Sequence, residues 1–231
     1  MRASALHDLH LARVPDGAGW IAAAGMPMPA AFPNEGDPAT LALADASHWQ
    51  RAGVKGPGAA AFLEALGLPV PAQPNRWTPL PRGGLIARLG LTEFFIEDAG
   101  AIARLIANAP ATIGVYPVPR ADTALVLTGR DANEVLLQTC NINFKALERM
   151  AGQLALTSMA GVGVLIIPQH AKSGADDIPL YRIWCDPSYG PYLYRTLLGI
   201  VEELGGGPVG MTGLDHLAPS PSDNIQPTGN P

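Results

Sequence analysis

The chain is 231 residues long, carries a net charge of −5, and has 48% hydrophobic but only 15% charged side chains. It has no basic run, and phosphate contacts need clustered Lys and Arg. Nor does any apolar stretch approach the roughly 18–20 residues that span a bilayer, so nucleic acid and membrane are excluded as partners.

An ordinary soluble domain has about 25% charged residues. Charge as sparse as this fits either apolar surface left over after folding, which marks a protein partner, or simply a well-packed, Ala-rich protein. The N-terminus has no unbroken apolar segment behind a basic start and is not expected to be a signal peptide. Cys140 and Cys185 lie far apart and form no CxxC pair, which fits a reduced, cytoplasmic protein.

Residues 1–40 are rich in Ala, Pro, Gly and Met, with Phe32 to Pro38 as turn material, and are expected to form an extended N-terminal arm. Leu41 to Asp45 and Gln50 to Lys55 have the length and pattern of short strands. Pro57 suits the first helical position, where its missing N–H costs nothing. It opens a helix with Ala59, Phe62, Leu63 and Leu66 near one face, ending at Gly67. Residues 68–83 hold five prolines and are expected as extended loop.

Gly84 to Gly90 and Thr92 to Glu97 form a predicted hairpin, and Asp98 caps a helix from Ala99 to about Asn108. Strands follow at Ile113 to Val118 and Thr123 to Thr128, then a helix from Arg130 to Thr139. A second hairpin joins Gln153–Ser158 to Val162–Ile167, Lys172 to Asp177 forms a polar tip, and Leu180 to Cys185 is the next strand. A last helix runs from about Pro187 to Leu204 on a face of Tyr189, Leu193, Leu197, Ile200 and Leu204, with Asp186 as its cap. Residues 216–231 are expected to be a disordered tail.

An internal echo organises this list. Ala52 to Leu63 and Ala124 to Leu136 are each a strand, a Gly turn and an amphipathic helix with an apolar pair at its middle. Two such units, each followed by a hairpin, predict a duplicated α+β arrangement with mostly antiparallel sheets.

The chemical motifs are sparse. Gly56-Pro57-Gly58-Ala59-Ala60-Ala61 fits the G-x-G-x-x-A phosphate turn, but no Asp or Glu occurs between Glu64 and Glu93 to hold a ribose, so it reads as a tight turn opening a helix. His7 and His10 have an HxxH spacing without a third ligand, and no metal is expected. Asp176–Asp177 and Glu202–Glu203 are surface positions, and no catalytic pair of carboxylates emerges. The densest chemical cluster is Tyr181, Arg182, Trp184, Tyr189 and Tyr192, with Tyr194 beside it. Aromatics with arginine suit a protein interface or a flat ligand, and equally a packed core.

The stretch Leu43-Ala44-Asp45-Ala46-Ser47-His48-Trp49-Gln50-Arg51, followed by Val54 to Leu63, resembles the opening of the glycine-cleavage T-protein, or aminomethyltransferase-like, family. Ala124 to Leu136 is similar to that family's later strand-Gly-x-x-Ala-x-x-Val-Leu unit. The resemblance covers about residues 41–205. It implies an α+β fold of two ferredoxin-like lobes with mostly antiparallel sheets, of the folate-binding aminomethyltransferase type, with lobes at 41–115 and 116–215.

Catalytic members place an acidic pair after a Gly-Gly-x-x strand, whereas Gly83-Gly84-Leu85-Ile86 is followed here by Ala87 and Arg88. They also carry a Gly-Tyr-Thr-Gly-Glu stretch that helps hold folate, and the matching Ser158 to Val164 has neither Tyr nor Glu. Losing the carboxylate removes the group that would stabilise a developing iminium or trade a proton with folate.

With its short length and Pro-rich leader, the chain resembles the gamma subunits of heterotetrameric sarcosine oxidases and related N-methyl amino acid dehydrogenases. That resemblance implies a small subunit with no catalytic residues of its own. Its larger flavoprotein partner subunits would carry FAD, FMN and NAD, and tetrahydrofolate is the one cofactor left open for this chain. Two alternatives stand beside it. One is a stand-alone tetrahydrofolate-dependent aminomethyl- or methyltransferase, which would need Arg88 or another residue in place of the acid. The other is a folate-binding assembly factor, weakened because Cys140 has Thr139 and Asn141 as neighbours rather than a Lys-Gly-Cys motif.

Overall fold

Side-chain alternation along the strands sets the layering of the computed structural model, which describes residues 2–14, 19–98, 100–148, 150, 152–173 and 176–217. The arm carries α1 (His7–Leu11) and a small hairpin, β1 (Trp20–Ala23) with β2 (Met26–Pro29). Next come β3 (Ala42–Asp45), β4 (Gln50–Lys55), α2 (Ala59–Ala65), β5 (Arg76–Pro79), β6 (Leu85–Arg88), β7 (Glu93–Asp98), α3 (Ala101–Asn108) and β8 (Tyr116–Pro119). The second half contains β9 (Thr123–Thr128), α4 (Ala132–Thr139), α5 (Phe144–Leu147), β10 (Ala155–Met159), β11 (Val162–Ser173), β12 (Asp176–Cys185), α6 (Gly190–Glu203), β13 (Gly207–Val209) and α7 (Met211–Leu217).

The strands form a six-stranded sheet in the order β10-β11-β12-β9-β3-β13 and a five-stranded sheet in the order β5-β6-β7-β4-β8. All pairs in the two sheets are antiparallel except β13 with β3.

Because successive strand residues point to opposite faces, each sheet supplies two layers of core. Leu125, Leu127, Ile166 and Ile183 face α4, α5 and α6, where Leu136, Phe144, Leu193 and Leu197 close the first layer. Their neighbours Ala124, Val126, Leu165 and Trp184 face the other way and meet Leu85, Ala87 and Phe95 of the second sheet. Ile86, Phe94 and Ile96 then face α2 and α3, with Leu63 and Ile106. The stack is therefore helices, sheet, sheet, helices. Each fully buried Leu, Ile or Phe contributes about 1.5–3 kcal/mol toward holding it.

The internal echo is structural. Each repeat places a Gly at positive φ between strand and helix: Gly56 at 116° after β4 and Gly129 at 114° after β9. A Cβ at the first would overlap the Gly114 carbonyl, and at the second the Thr40 carbonyl, so both positions require glycine. The two units also exchange strands. β3 precedes β4 in sequence but pairs with β9, while β8 precedes β9 but pairs with β4. The first strand of the segment expected as lobe 41–115 is thus hydrogen-bonded into the other sheet.

Local signals mostly place the elements where the sequence puts them, with instructive shifts. Asp98 accepts the Ile102 amide at 2.8 Å, as a cap for α3. Asp186 accepts the Ser188 amide at 2.9 Å, but α6 begins only at Gly190, with Pro191 rather than Pro187 in its first turn. Its buried face is Leu193, Tyr194, Leu197, Leu198 and Val201, which leaves Tyr189 outside. The loop expected over 68–83 contains β5, with three of its prolines before the strand, Pro79 at its end and Pro81 beyond. The arm is anchored rather than free-running, with Leu6, His10, Met26 and Met28 all buried. Residues 218–231 of the expected tail lie outside the described residues, while 216 and 217 complete α7.

Candidate functional site

Between the two sheets the apolar layer is interrupted by charge. Alternation puts Glu97 on the same face of β7 as Phe95, and Arg182 on the same face of β12 as Trp184. Arg51 on β4 pairs with Glu97 in register. The Glu97 carboxylate is 0% exposed and accepts from Trp184 Nε1 at 2.8 Å, Arg182 Nη1 at 3.1 Å and Arg51 Nη1 at 3.4 Å. Arg182 also donates to the Gly83 carbonyl at 2.9 Å and lies 4.5 Å over the Trp49 ring, and Arg51 donates to the Ser47 carbonyl at 2.9 Å. Burial lowers the Arg182 pKa, and the Glu97 charge opposes that shift. A buried ion cluster of this kind stands because each charge has partners.

A second polar knot ties the arm to the same layer. Asp45 Oδ2 accepts from Ser4 Oγ at 2.5 Å and lies 3.0 Å from His10 Nε2, while Oδ1 accepts the Ser47 amide at 2.8 Å. Burial alone would raise the Asp45 pKa, but the bonds from His10, Ser4 and Ser47 outweigh it and the net shift is downward. Ser47 Oγ in turn accepts the Ala124 amide at 3.1 Å, linking the two sheets' repeats. His48, buried next to these groups, has neither ring nitrogen hydrogen-bonded. Burial pushes its pKa down to about 4, with Arg51 and Arg2 adding to the shift against Asp45. The Asp-x-Ser-His segment is therefore buried here, with Asp45 and Ser47 building the network that ties the arm and β9 together.

Beside the charged layer the sheets part into an open cleft of about 590 Å³, a size that suits a ligand or an inserted segment. Trp184 and Cys185 form part of its floor, Leu156 and Gly163 one wall, and Arg120 with Asp122 another. Arg120 and Asp122 make a bidentate pair, both contacts at 3.0 Å, and the guanidinium lies 5.0 Å over Phe95. Glu93 at the rim is held by Lys55 at 3.1 Å, and Asp186 accepts from Ser188. Burial, followed by the charges of Asp122 and Asp186, pushes the Cys185 thiol up to about 11, which makes it a poor nucleophile. Each cleft carboxylate thus has a partner, so none is poised as a free base.

The sequence-predicted cluster is distributed over three environments. Arg182 and Trp184 lie between the sheets. Tyr181, one residue away, faces α5 on the opposite side of β12, its hydroxyl bonded to Glu148 and its ring 5.6 Å from Phe144. Burial and Glu148 raise its pKa. Tyr189, just before α6, and Tyr192, in its first turn, are 56% and 49% exposed, with Tyr192 donating to the Ala160 carbonyl at 3.1 Å. The period-2 alternation of a strand separates residues that are close in sequence.

The residues missed are Glu97 and Asp45. The acidic pair Glu97-Asp98 closing the apolar run Phe94 to Ile96 was the available signal for the first. Arg88, weighed as a substitute for the missing acid, is engaged by the carbonyls of Pro71, Ala72, Gly90 and Leu91 and lies 5.3 Å over Phe94. Among the described residues, no group of three His, Cys, Asp or Glu is placed to hold a metal, and no helix is long and apolar enough to cross a membrane. Cys140 and Cys185 are both free thiols.

Two stacked sheets flanked by helices, built from a strand-exchanged repeat, define the fold class of the glycine-cleavage aminomethyltransferases. The aminomethyltransferase T of the glycine cleavage system from Bartonella henselae superimposes with a TM-score of 0.61 at 21% identity, over 93% of this chain and 61% of that one. The chain therefore spans less than two thirds of that enzyme's length. A chain of the heterotetrameric sarcosine oxidase from Corynebacterium sp. U-96, solved with pyrrole 2-carboxylate, superimposes with a TM-score of 0.60 at 19% identity, over 89% of this chain and 97% of that one. No protein-family model and no curated protein matches the sequence. The aminomethyltransferase-like, mostly antiparallel α+β fold expected from the sequence is thereby established.

Proposed function

We propose that the chain is a small, non-catalytic subunit of a sarcosine oxidase-type complex that oxidises N-methyl amino acids, working beside larger flavin- and folate-bearing subunits in the cytoplasm. One observation carries the reading. The middle of the layer between the sheets is filled by the Arg51–Glu97–Arg182–Trp184 cluster, whose carboxylate accepts from all three of the other members. Among the described residues, Glu97 and the carboxylates of the adjoining cleft all have hydrogen-bond partners, and Ala87, at the position of the family's first acid, is fully buried against Phe95 and Trp77.

The coverage of the two structural neighbours agrees with this reading. A single sarcosine oxidase chain is matched almost end to end, and that protein is a heterotetramer by description. The cleft keeps a folate-binding role in view, because its volume would hold a pterin over Trp184.

The test is purification of the tagged chain from its native cells, reading native mass and visible absorbance together. Co-purification with larger chains and a yellow flavin spectrum is the expected result. A colourless species of about the 24.1 kDa chain mass, or a simple homo-oligomer, overturns it. Tetrahydrofolate binding by that free species supports the stand-alone transferase or the assembly factor instead.

A further inference from the structure

Sheet edges offer unpaired backbone N–H and C=O groups to any passing strand, and proteins blunt them. Among the described residues, three of the four edges of the two large sheets are blunted. β8 carries Pro117 and Pro119. β5 is covered by residues 152–154, through Trp77 N–H to the Gly152 carbonyl at 2.8 Å and Leu154 N–H to the Asn75 carbonyl at 3.2 Å. β13 is three residues long, and its Pro208 carbonyl accepts the Gly36 amide at 3.0 Å. The fourth edge, β10, reads Ala-Leu-Thr-Ser-Met, with no proline and no charge; the α4 end reaches only the turn beyond it, where the Ala160 amide donates to the Thr139 carbonyl at 2.8 Å.

The turn fixes which groups β10 presents. Ala160 and Gly161 connect β10 to β11 with φ of 49° and 83°, a two-residue turn of the primed type. Such a turn makes the flanking pair, Met159 and Val162, a hydrogen-bonded pair, and pairing then alternates. Ala155, Thr157 and Met159 spend their backbone groups on β11, while Leu156 and Ser158 aim theirs outward. The Leu156 side chain is 53% exposed and lines the cleft. Across the cleft, after Arg120 pairs with Asp122 and Lys55 with Glu93, Asp186 has hydrogen-bond donors but, among the described residues, no cation.

Resting on the subunit reading above, we infer that β10 is the docking strand of this chain: an extended segment of a partner subunit adds to it, hydrogen-bonded to Leu156 and Ser158. One apolar side chain of the segment packs into the cleft against Leu156 and Trp184, and a basic one faces Asp186. This is strand addition, in which the main chain supplies affinity and the alternate side chains supply specificity. A second copy of this chain fits poorly, because two acidic clefts on molecules of net charge −5 repel.

The test is amide hydrogen exchange at single-residue resolution on the isolated chain and on the co-purified complex. The Leu156 and Ser158 amides should exchange fast in the isolated chain and at least ten-fold more slowly in the complex, while Thr157 and Met159 are slow in both. A Ser158→Pro variant removes an outward donor without touching the β10–β11 ladder. It should keep the wild-type unfolding midpoint and lose at least ten-fold in recovered complex.

A complex in which Leu156 and Ser158 stay fast overturns the docking strand and leaves the subunit reading standing. Recovery of no larger chain overturns both. Protection that develops only in a homo-oligomer without larger chains overturns both, whereas a small molecule in the cleft without backbone protection overturns the docking strand alone. If Ser158→Pro misfolds, the wild-type exchange data decide.

Discussion

Replacing Glu97 by Gln removes one negative charge from beneath two buried guanidinium groups while keeping the side chain's shape. The Gln carbonyl can still accept from one of Trp184, Arg182 and Arg51, but its NH2 must face a second donor. Arg182 then keeps only the Gly83 carbonyl and the Trp49 face, and Arg51 only the Ser47 carbonyl. Removing one partner of a buried ion pair costs about 3–5 kcal/mol, because the other charge stays buried. That is a large part of the roughly 5–15 kcal/mol that holds a domain together.

At about 2–4 °C per kcal/mol for a chain of this size, the midpoint should fall by roughly 6–20 °C. Urea unfolding followed by tryptophan fluorescence is a direct assay, since Trp184 donates to Glu97 and Trp49 stacks on Arg182. The triple variant Arg51→Met, Glu97→Leu, Arg182→Met should recover to within about 2 kcal/mol of wild type, because apolar replacement of a whole cluster avoids its desolvation. A loss below about 1 kcal/mol for Glu97→Gln would refute the cluster as the element that fills and fixes the middle layer.

Four further outcomes follow from named contacts. Gly129→Ala and Gly56→Ala should each cost more than about 2 kcal/mol and by similar amounts, since both force an L residue into a positive-φ turn against a carbonyl, and paired urea titrations measure this. The buried neutral His48, with its folded pKa of about 4 below the usual 6.5, makes the unfolded chain bind the extra proton in between. Its contribution is intact above pH 6.5 and erodes by about 3 kcal/mol as pH falls to 4, so stability-versus-pH curves of wild type and His48→Gln should differ in slope across that window. Asp45→Asn weakens the bonds to Ser4, His10 and Ser47 at once, and should destabilise by about 2–4 kcal/mol and speed amide exchange in α1. Ala87→Asp restores the acid of the catalytic relatives inside a closed layer; it should destabilise by about 3 kcal/mol or more and confer no tetrahydrofolate binding by calorimetry.

What the sequence makes legible is what local physics decides. Gln50 to Lys55 and Thr123 to Thr128 are strands at their expected limits because turn residues bound them on both sides. The echo between residues 52–63 and 124–136 survives as two turns with φ within a few degrees of each other. Less legible is what depends on distant partners. β3 leaves its sequence neighbours for β9, and no local pattern encodes that choice. The cluster Tyr181 to Tyr192 divides because strand alternation sends Tyr181 to α5 and Arg182 to Glu97, a carboxylate 85 residues earlier in the chain. The arm's Ala-, Pro- and Met-rich composition hides a helix held by Ser4 and His10, since the partner that orders it, Asp45, lies outside the arm.

The low charge content means more once the structure assigns the charges to places. Asp45, Arg51, Glu97, Asp98 and Arg182 are buried, so the surface holds even less charge than the 15% of the sequence implies. Meanwhile Leu91, Leu105, Ile113, Tyr116, Leu137, Leu156, Tyr189 and Tyr192 stand exposed. The buried polar groups fix the two sheets against each other, and the exposed apolar ones are the surface on which the proposed subunit reading would place a partner.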